Sequence, residues 1–251
     1  MAGLPLDATF VASALCVLLL AGLVKGVIGI GLPLITIPAL SFFVGVPQAI
    51  AIMSLPILVT NGYQAFASRE LASVGRRFWP LLLALLAGVV LGTSLLVTLN
   101  ERSLYAILGV TVIAFGLLNL SNPSFHLRAR GELWLGPPVG FGAGVLGGLS
   151  NFFGPPIVLY LVTLKLPRET FVAAVGLAFF VGSIPLYGLL VSFGIYGWGE
   201  AMASAVALLP VLLGVKLGER LRQRVPQELF RRLVLGLLLV IGLNLLRRAW
   251  L

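Results

Sequence analysis

Charged residues, cysteine and histidine are scarce in this sequence of 251 residues. Only 10% of the residues are charged, 59% are hydrophobic, and the chain has one cysteine and one histidine. A soluble domain averages about 25% charged residues. Disulfide frameworks, CxxC pairs and multi-histidine metal sites need such residues in groups and are therefore excluded. We expect a membrane protein without a metal or another cofactor.

The positive charge of the chain lies between its apolar segments. The formal net charge of +9 would indicate a nucleic-acid partner in a soluble protein. Here the segment 1–9 contains no Lys or Arg and lacks the basic start of a cleaved signal peptide. We expect a retained first helix, lipid as the surrounding partner and no nucleic acid.

Ten apolar segments are separated by Gly, Pro and charged residues. They lie at residues 10–30, 33–45, 48–67, 78–98, 104–120, 133–152, 155–164, 169–191, 199–217 and 229–249. Segments 33–45 and 155–164 are too short to cross a hydrocarbon core about 30 Å thick. Because each follows a glycine-rich break, we predict a half-helix or one arm of a re-entrant hairpin at both places. Hydropathy leaves open whether 10–30 crosses fully.

Four short matches between the two halves of the chain indicate a duplication. They occur in the same order at offsets of 120 to 126 residues: 31–35 with 154–158, 46–47 with 166–167, 88–92 with 214–218, and 116–120 with 242–246. We expect a first repeat over 1–121, a cytoplasmic linker over 122–132 and a second repeat over 133–251, within one membrane domain.

The distribution of arginine predicts the topology. Three basic loops are placed in the cytoplasm by the positive-inside rule: 68–77, 121–132 and 218–228. If each repeat opens with a hairpin, the N-terminus lies in the periplasm and the second repeat has the opposite orientation. The predicted fold is an all-α integral membrane protein with two inverted repeats of five segments. Arg247 and Arg248 then lie outside, against the rule.

Both short helices begin at a break that could bind an anion. Free N–H groups at a helix start carry partial positive charge, and carriers built from inverted repeats bind substrate at such broken helices. Proline suits the first helical turn, and glycine lets backbone approach a ligand. The predicted site residues of the breaks are Gly29, Gly31, Pro33, Gly154, Pro155 and Pro156. Close helix packing is the alternative. We favour packing for a second set of glycines, Gly88, Gly92, Gly214 and Gly218.

Lys25 is the most informative single residue. It lies inside the first apolar segment, one turn before the break, whereas the eight acidic residues lie at segment ends or in loops. Burying a lysine in the bilayer costs about 2.5–3.5 kcal/mol, which a bound anion would offset. Snorkelling to the interface is the alternative. The same distribution argues against a relay of intramembrane carboxylates.

Five further polar residues are candidates for the substrate site. Ser150 and Asn151 precede the second short helix and could donate hydrogen bonds to an oxyanion or cap the broken backbone. Asn61 and Gln64 share a helical face that could line the site or join helices by hydrogen bonds. Tyr160 could project from the second half-helix or anchor it at the interface.

These stretches resemble the TauE/SafE family of membrane transporters. The relevant motifs are GLVKGVIGIGLPLITIP at 22–38 and GFGAGVLGGLSNFFGPPIVLY at 140–160, and the resemblance covers nearly the whole chain. It implies transport of sulfite, sulfonates or related sulfur oxyanions across the bacterial inner membrane, commonly outward. Asn151, Phe152 and Phe153 stand where small residues are common in the family, which indicates an altered pocket.

We expect a secondary transporter for a small anion that works by alternating access between the two repeats. The residues alone would suit another small organic or inorganic anion, in a transporter or a channel, and a non-transporting scaffold is a further alternative. A membrane enzyme would need His, Asp or Glu beside Lys25, and the sequence places none there. Substrate, direction, coupling and homo-oligomer formation are left open by the sequence.

Overall fold

The computed structural model describes residues 8–29, 31–121, 129–222 and 227–250, which form eleven α-helices and no strand. The helices are α1 (Ala8–Ile28), α2 (Leu32–Leu40), α3 (Val46–Ile52), α4 (Ser54–Phe66), α5 (Leu71–Thr98), α6 (Glu101–Ser121), α7 (Ala129–Ser150), α8 (Gly154–Thr163), α9 (Arg168–Ser192), α10 (Trp198–Leu221) and α11 (Gln227–Trp250). The all-helical prediction is confirmed. Most of the predicted linker 122–132 lies outside the described residues.

Several helices are long and apolar enough to cross a membrane. Among the described residues these are α5, α9 and α10, and the bent pair α3 and α4 makes a fourth candidate span. The two predicted short helices are present as α2, with nine residues, and α8, with ten. Three tryptophans are exposed near helix ends, as expected for side chains at a membrane interface: Trp134, Trp198 and Trp250. Trp79 is also exposed but lies about two turns inside α5.

The segment predicted as continuous over 48–67 is divided into two helices. Helix α3 ends at Ile52 and α4 begins at Ser54, with a bend of 50° between them. Pro56 explains the break, because a proline ring inside a helix lacks an N–H and clashes with the carbonyl four residues earlier, here that of Ile52. Helix α1, in contrast, is continuous and ends where the first break was predicted.

The described helices form two compact units. Unit 1 consists of Met1–Pro56, Leu99–Pro123 and Ile195–Leu251, and unit 2 consists of Ile57–Thr98 and Ser124–Gly194. Unit 1 therefore contains α1 to α3, α6, α10 and α11, whereas unit 2 contains most of α4 together with α5 and α7 to α9. Each unit combines helices from both halves of the chain.

In unit 1, α1 packs against α10 through glycines. A Cβ on Gly26 would overlap the carbonyl oxygen of Val215 and lie 2.9 Å from Cα of Gly218. Gly22 faces Gly214 in the same way, so the two helices run parallel. Only residues without a side chain allow the backbones to approach this closely. The packing interpretation of Gly214 and Gly218 is confirmed.

In unit 2, α5 also packs against α7 through glycines. A Cβ on Gly144 would lie 2.9 Å from Cα of Gly88, and one on Gly148 would lie 2.8 Å from the carbonyl carbon of Gly92. These helices also run parallel, because higher residue numbers in one face higher numbers in the other. The packing interpretation of Gly88 and Gly92 is likewise confirmed.

Helices α6 and α11 pair within unit 1 in the opposite sense. A Cβ on Gly109 would lie 3.0 Å from the carbonyl oxygen of Gly242, and one on Gly116 would lie 3.3 Å from the side chain of Leu239. Rising numbers in α6 therefore meet falling numbers in α11, and the pair is antiparallel. Each unit thus contains one parallel pair of helices held together by glycine, and unit 1 contains the antiparallel pair as well.

Candidate functional site

The break in unit 1 is built from glycines in a left-handed conformation. The N–H of Gly29 donates a hydrogen bond of 2.6 Å to the carbonyl of Lys25, which closes the last turn of α1. Gly29 has φ of 89° and Gly31 has φ of 111°, values that L side chains rarely adopt. Helix α2 then begins at Leu32 with Pro33 in its first turn, where no N–H is needed.

The break in unit 2 also begins with a left-handed residue, but Phe153, directly before α8, has φ of −74° where Gly31 has φ of 111°. The N–H of Asn151 donates a hydrogen bond of 2.6 Å to the carbonyl of Gly147, and Asn151 has φ of 55°. Helix α8 begins at Gly154, with Pro155 and Pro156 in its first turn. The spacing from Asn151 to the start of α8 equals the spacing from Gly29 to the start of α2. By this spacing, which shifts the sequence match of 31–35 with 154–158 by one residue, Asn151 corresponds to Gly29 and Gly147 corresponds to Lys25.

Lys25 is a buried cation beside the first break. It is the only charged residue of α1 and is 7% exposed. Most of its surface is therefore packed inside the protein. The carbonyl of Lys25 accepts the hydrogen bond from the N–H of Gly29 that closes the last turn of α1. Lys25 therefore lies one turn before the break.

A phenyl ring covers the position in unit 2 that corresponds to Lys25. Phe153 is 2% exposed, and a Cβ on Gly147 would overlap its ring. The ring also lies against Gly182, where a Cβ would approach to 2.8 Å, and its centroid is 5.9 Å from that of Phe179. A phenyl ring therefore packs at the position in the second break where the first break has Lys25.

The side chain of Asn151 meets a residue that the sequence analysis did not single out. Its Nδ2 donates a hydrogen bond of 2.6 Å to the hydroxyl oxygen of Tyr187 in α9. Asn151 is fully buried, and its Oδ1 has no hydrogen-bond partner among the described residues. A tyrosine inside an apolar segment is a weak sequence signal, because nothing in the sequence indicates its partner.

Ser150, Asn61 and Gln64 engage their surroundings in different ways. The hydroxyl of Ser150 donates to the carbonyl of Leu146 at 2.6 Å, so its proton is used inside its own helix. Asn61 is buried and Gln64 is half-buried on α4. Within unit 2, Gly176 of α9 packs closely on Gln64. The Ser150 hydrogen bond is of the capping kind.

Tyr160 lies at the other end of the α7 and α8 pair. Its hydroxyl donates to the backbone carbonyl of Glu132, in the first turn of α7, at 3.0 Å. The Glu132 carboxylate in turn binds Arg77 through two hydrogen bonds of 2.6 and 2.8 Å. Ser150 ends α7, and α7 is about 1.5 Å long per residue. The structure therefore does not bring the Tyr160 hydroxyl to the break at Ser150.

Metal and cavity chemistry contribute little to the described part of the chain. No group of three or more His, Cys, Asp or Glu residues that could hold a metal ion occurs among the residues searched. A pocket in unit 2 has only apolar lining residues: Val74, Phe78, Leu81, Leu82, Ile157, Leu161, Ala174, Leu177 and Ala178. Such a lining gives an anion nothing to bind.

A helical chain with apolar spans and exposed apolar side chains has the features of an integral membrane protein. Comparison with known families matches residues 14–245 to Sulfite exporter TauE/SafE. The chain belongs to this family, and the resemblance inferred from the motifs is confirmed. It is a membrane transporter of the sulfite-exporter type. Comparisons with curated proteins and with solved structures give no significant match.

Proposed function

We propose that the protein is a secondary transporter that exports a small sulfur oxyanion, sulfite or a sulfonate, across the bacterial inner membrane by alternating access. The observation that carries the proposal is the buried Lys25, one turn before the break at Gly29, in a chain of the sulfite exporter family. A cation at this depth favours a bound anion electrostatically. Family membership supplies the sulfur chemistry of that anion.

We assign substrate contact to the two break regions, each within its own unit. In unit 1 these are Lys25, Gly29, Gly31 and the first turn of α2 at Pro33. In unit 2 they are the residues around the start of α8: Asn151, Gly154, Pro155 and Pro156. The free N–H groups of a helix start attract an oxyanion through their partial positive charge.

The repeats 1–121 and 133–251 are proposed to be inverted. Support comes from the equal spacing of the two breaks and from the two parallel glycine pairs, α1 with α10 and α7 with α5. These two pairs correspond to each other, because α1 is the counterpart of α7 and α10 is the counterpart of α5. Helices α6 and α11 correspond to each other and run antiparallel. If a two-fold axis in the membrane plane relates the two repeats, a helix that packs on its own counterpart must run antiparallel to it. The N-terminus is then periplasmic.

Flux of labelled sulfite from reconstituted vesicles tests the function. We expect the parent protein to move sulfite and Lys25→Ala to lose at least about tenfold of that rate, which corresponds to about 1.4 kcal/mol of substrate interaction. Lys216→Ala is the matched control, because Lys216 is an exposed helical lysine on α10. Equal flux in parent and Lys25→Ala would refute the role of Lys25. Flux of chloride or a carboxylate without flux of sulfite or a sulfonate would refute the sulfur substrate.

A further inference from the structure

Asn151 occupies a backbone position for which glycine is the better residue. Its φ of 55° is left-handed, and the corresponding residue of the first break, Gly29, has φ of 89°. Asparagine tolerates this conformation better than most residues but still at a cost that glycine does not incur. The turn alone therefore does not account for an asparagine here, and its side chain needs a reason of its own.

The side-chain amide of Asn151 has a hydrogen-bond partner for its donor, Nδ2, but none among the described residues for its acceptor, Oδ1. Nδ2 donates to the hydroxyl oxygen of Tyr187 at 2.6 Å. The side chain is fully buried, and Oδ1 lacks a hydrogen-bond partner among the described residues. A buried carbonyl oxygen without a donor is costly, and buried polar atoms in folded proteins are rarely left so. A hydrogen-bond donor on a bound ligand would satisfy it.

Sulfur oxyanions are of two kinds: those that can donate a hydrogen bond to Oδ1 of Asn151 and those that cannot. The sulfite dianion, sulfate and alkylsulfonates present only acceptor oxygens, which an amide oxygen repels. Hydrogensulfite is a monoanion that also carries one hydrogen it can donate. We propose that Oδ1 of Asn151 accepts this hydrogen, so that the transporter selects a protonated monoanion over anions with acceptors alone. The proposal rests on the transport function above and names the ionic form that is carried.

Tyr187 is then a positioning residue rather than a ligand contact. By accepting from Nδ2, its hydroxyl holds the donor end of the Asn151 amide and leaves the acceptor end for the substrate. Without that hydroxyl the amide could rotate and present its NH2 group, which binds any oxyanion. Tyr187 thus affects discrimination between anions and does not by itself supply affinity.

Competition between hydrogensulfite and methanesulfonate tests the proposal in reconstituted protein. Both are monoanions with three oxygens on sulfur in weakly acidic buffer, but only hydrogensulfite can donate a hydrogen. We expect the parent to favour hydrogensulfite by at least about tenfold in apparent affinity. Asn151→Gly keeps the left-handed turn and should reduce this ratio to about one. Tyr187→Phe should also lower the ratio while anion flux persists. Asn244→Ala is the control, because Oδ1 of Asn244 in α11 also has no hydrogen-bond partner in the described part of the chain.

Each outcome decides the matter. An unchanged affinity ratio in Asn151→Gly would overturn the proposal. This includes the case in which the affinities for both anions fall equally, because the amide would then donate to the anion. If Asn151→Gly does not fold, the ratio in Tyr187→Phe decides alone, and an unchanged ratio there overturns it. Absence of flux of both anions in the parent would refute the transport function itself, which distinguishes the two failures.

Discussion

The guanidinium of Arg248, in the last turn of α11, donates a hydrogen bond of 3.4 Å to the backbone carbonyl of Ser41 at the end of α2. It also lies over the ring of Phe42 at 4.5 Å and over that of Tyr105 at 5.9 Å. A cation at the C-terminus of a helix offsets the partial negative charge of its free carbonyls. This contact gives a local reason for an arginine on the side where the proposed topology expects few.

Arg248→Ala should therefore destabilise unit 1. Loss of the hydrogen bond and the cation-π contacts is expected to lower the free energy of unfolding by about 1–2 kcal/mol. Arg247→Ala is the neighbouring control, because Arg247 is exposed. Thermal unfolding of the purified variants in detergent measures the difference. Equal midpoints for the two variants would show that the Arg248 contacts contribute nothing.

Gly144→Ala should disrupt the packing of α7 on α5. The added methyl group would overlap the carbonyl oxygen of Leu85, and overpacking of this kind costs about 1–3 kcal/mol. Gly142→Ala is a control in the same helix, because a Cβ on Gly142 meets nothing within 4 Å. Alanine is favoured over glycine in a helix, so this control should be neutral or stabilising. A result in which both variants unfold alike would contradict the proposed packing.

Ser204→Ala should weaken the junction of α3 and α4. The hydroxyl of Ser204 is fully buried, accepts the N–H of Leu55 at 2.9 Å and lies 3.0 Å from the hydroxyl of Ser54. Its removal leaves the Leu55 N–H unsatisfied, at a cost of about 1–3 kcal/mol. Ser94→Ala is the control, since that exposed hydroxyl bonds only within its own helix. Equal melting temperatures for parent and Ser204→Ala would exclude this capping role.

Phe153→Ala should leave a cavity in unit 2. The ring fills the space over Gly147 and beside Gly182, and truncation of a buried phenylalanine costs about 3–5 kcal/mol. Phe141→Ala, on the same unit, removes a ring that is 43% exposed and should cost far less. Unfolding in denaturant measured by intrinsic fluorescence compares the two. A Phe153 variant as stable as the Phe141 variant would mean that the ring is not packed as described.

Local chemistry explains what was predictable about the breaks. Glycine and proline act on the backbone within a few residues of themselves, so their positions marked the ends of α1 and α7 and the starts of α2 and α8. Pro56 carried the same kind of signal for the break before Ser54, but it lay within an otherwise unbroken apolar run. The bend between α3 and α4 was therefore not predicted.

Composition and short motifs by themselves determined the membrane class, the all-helical fold, the two broken helices and the family, because each depends on hydropathy or on residues close together in the chain. Only the tertiary structure decided which helices pair, that Tyr187 holds the amide of Asn151, and that Phe153 fills the position corresponding to Lys25. Leucine-rich helix surfaces offer many similar partners, and the choice among them depends on contacts between side chains that are distant in sequence.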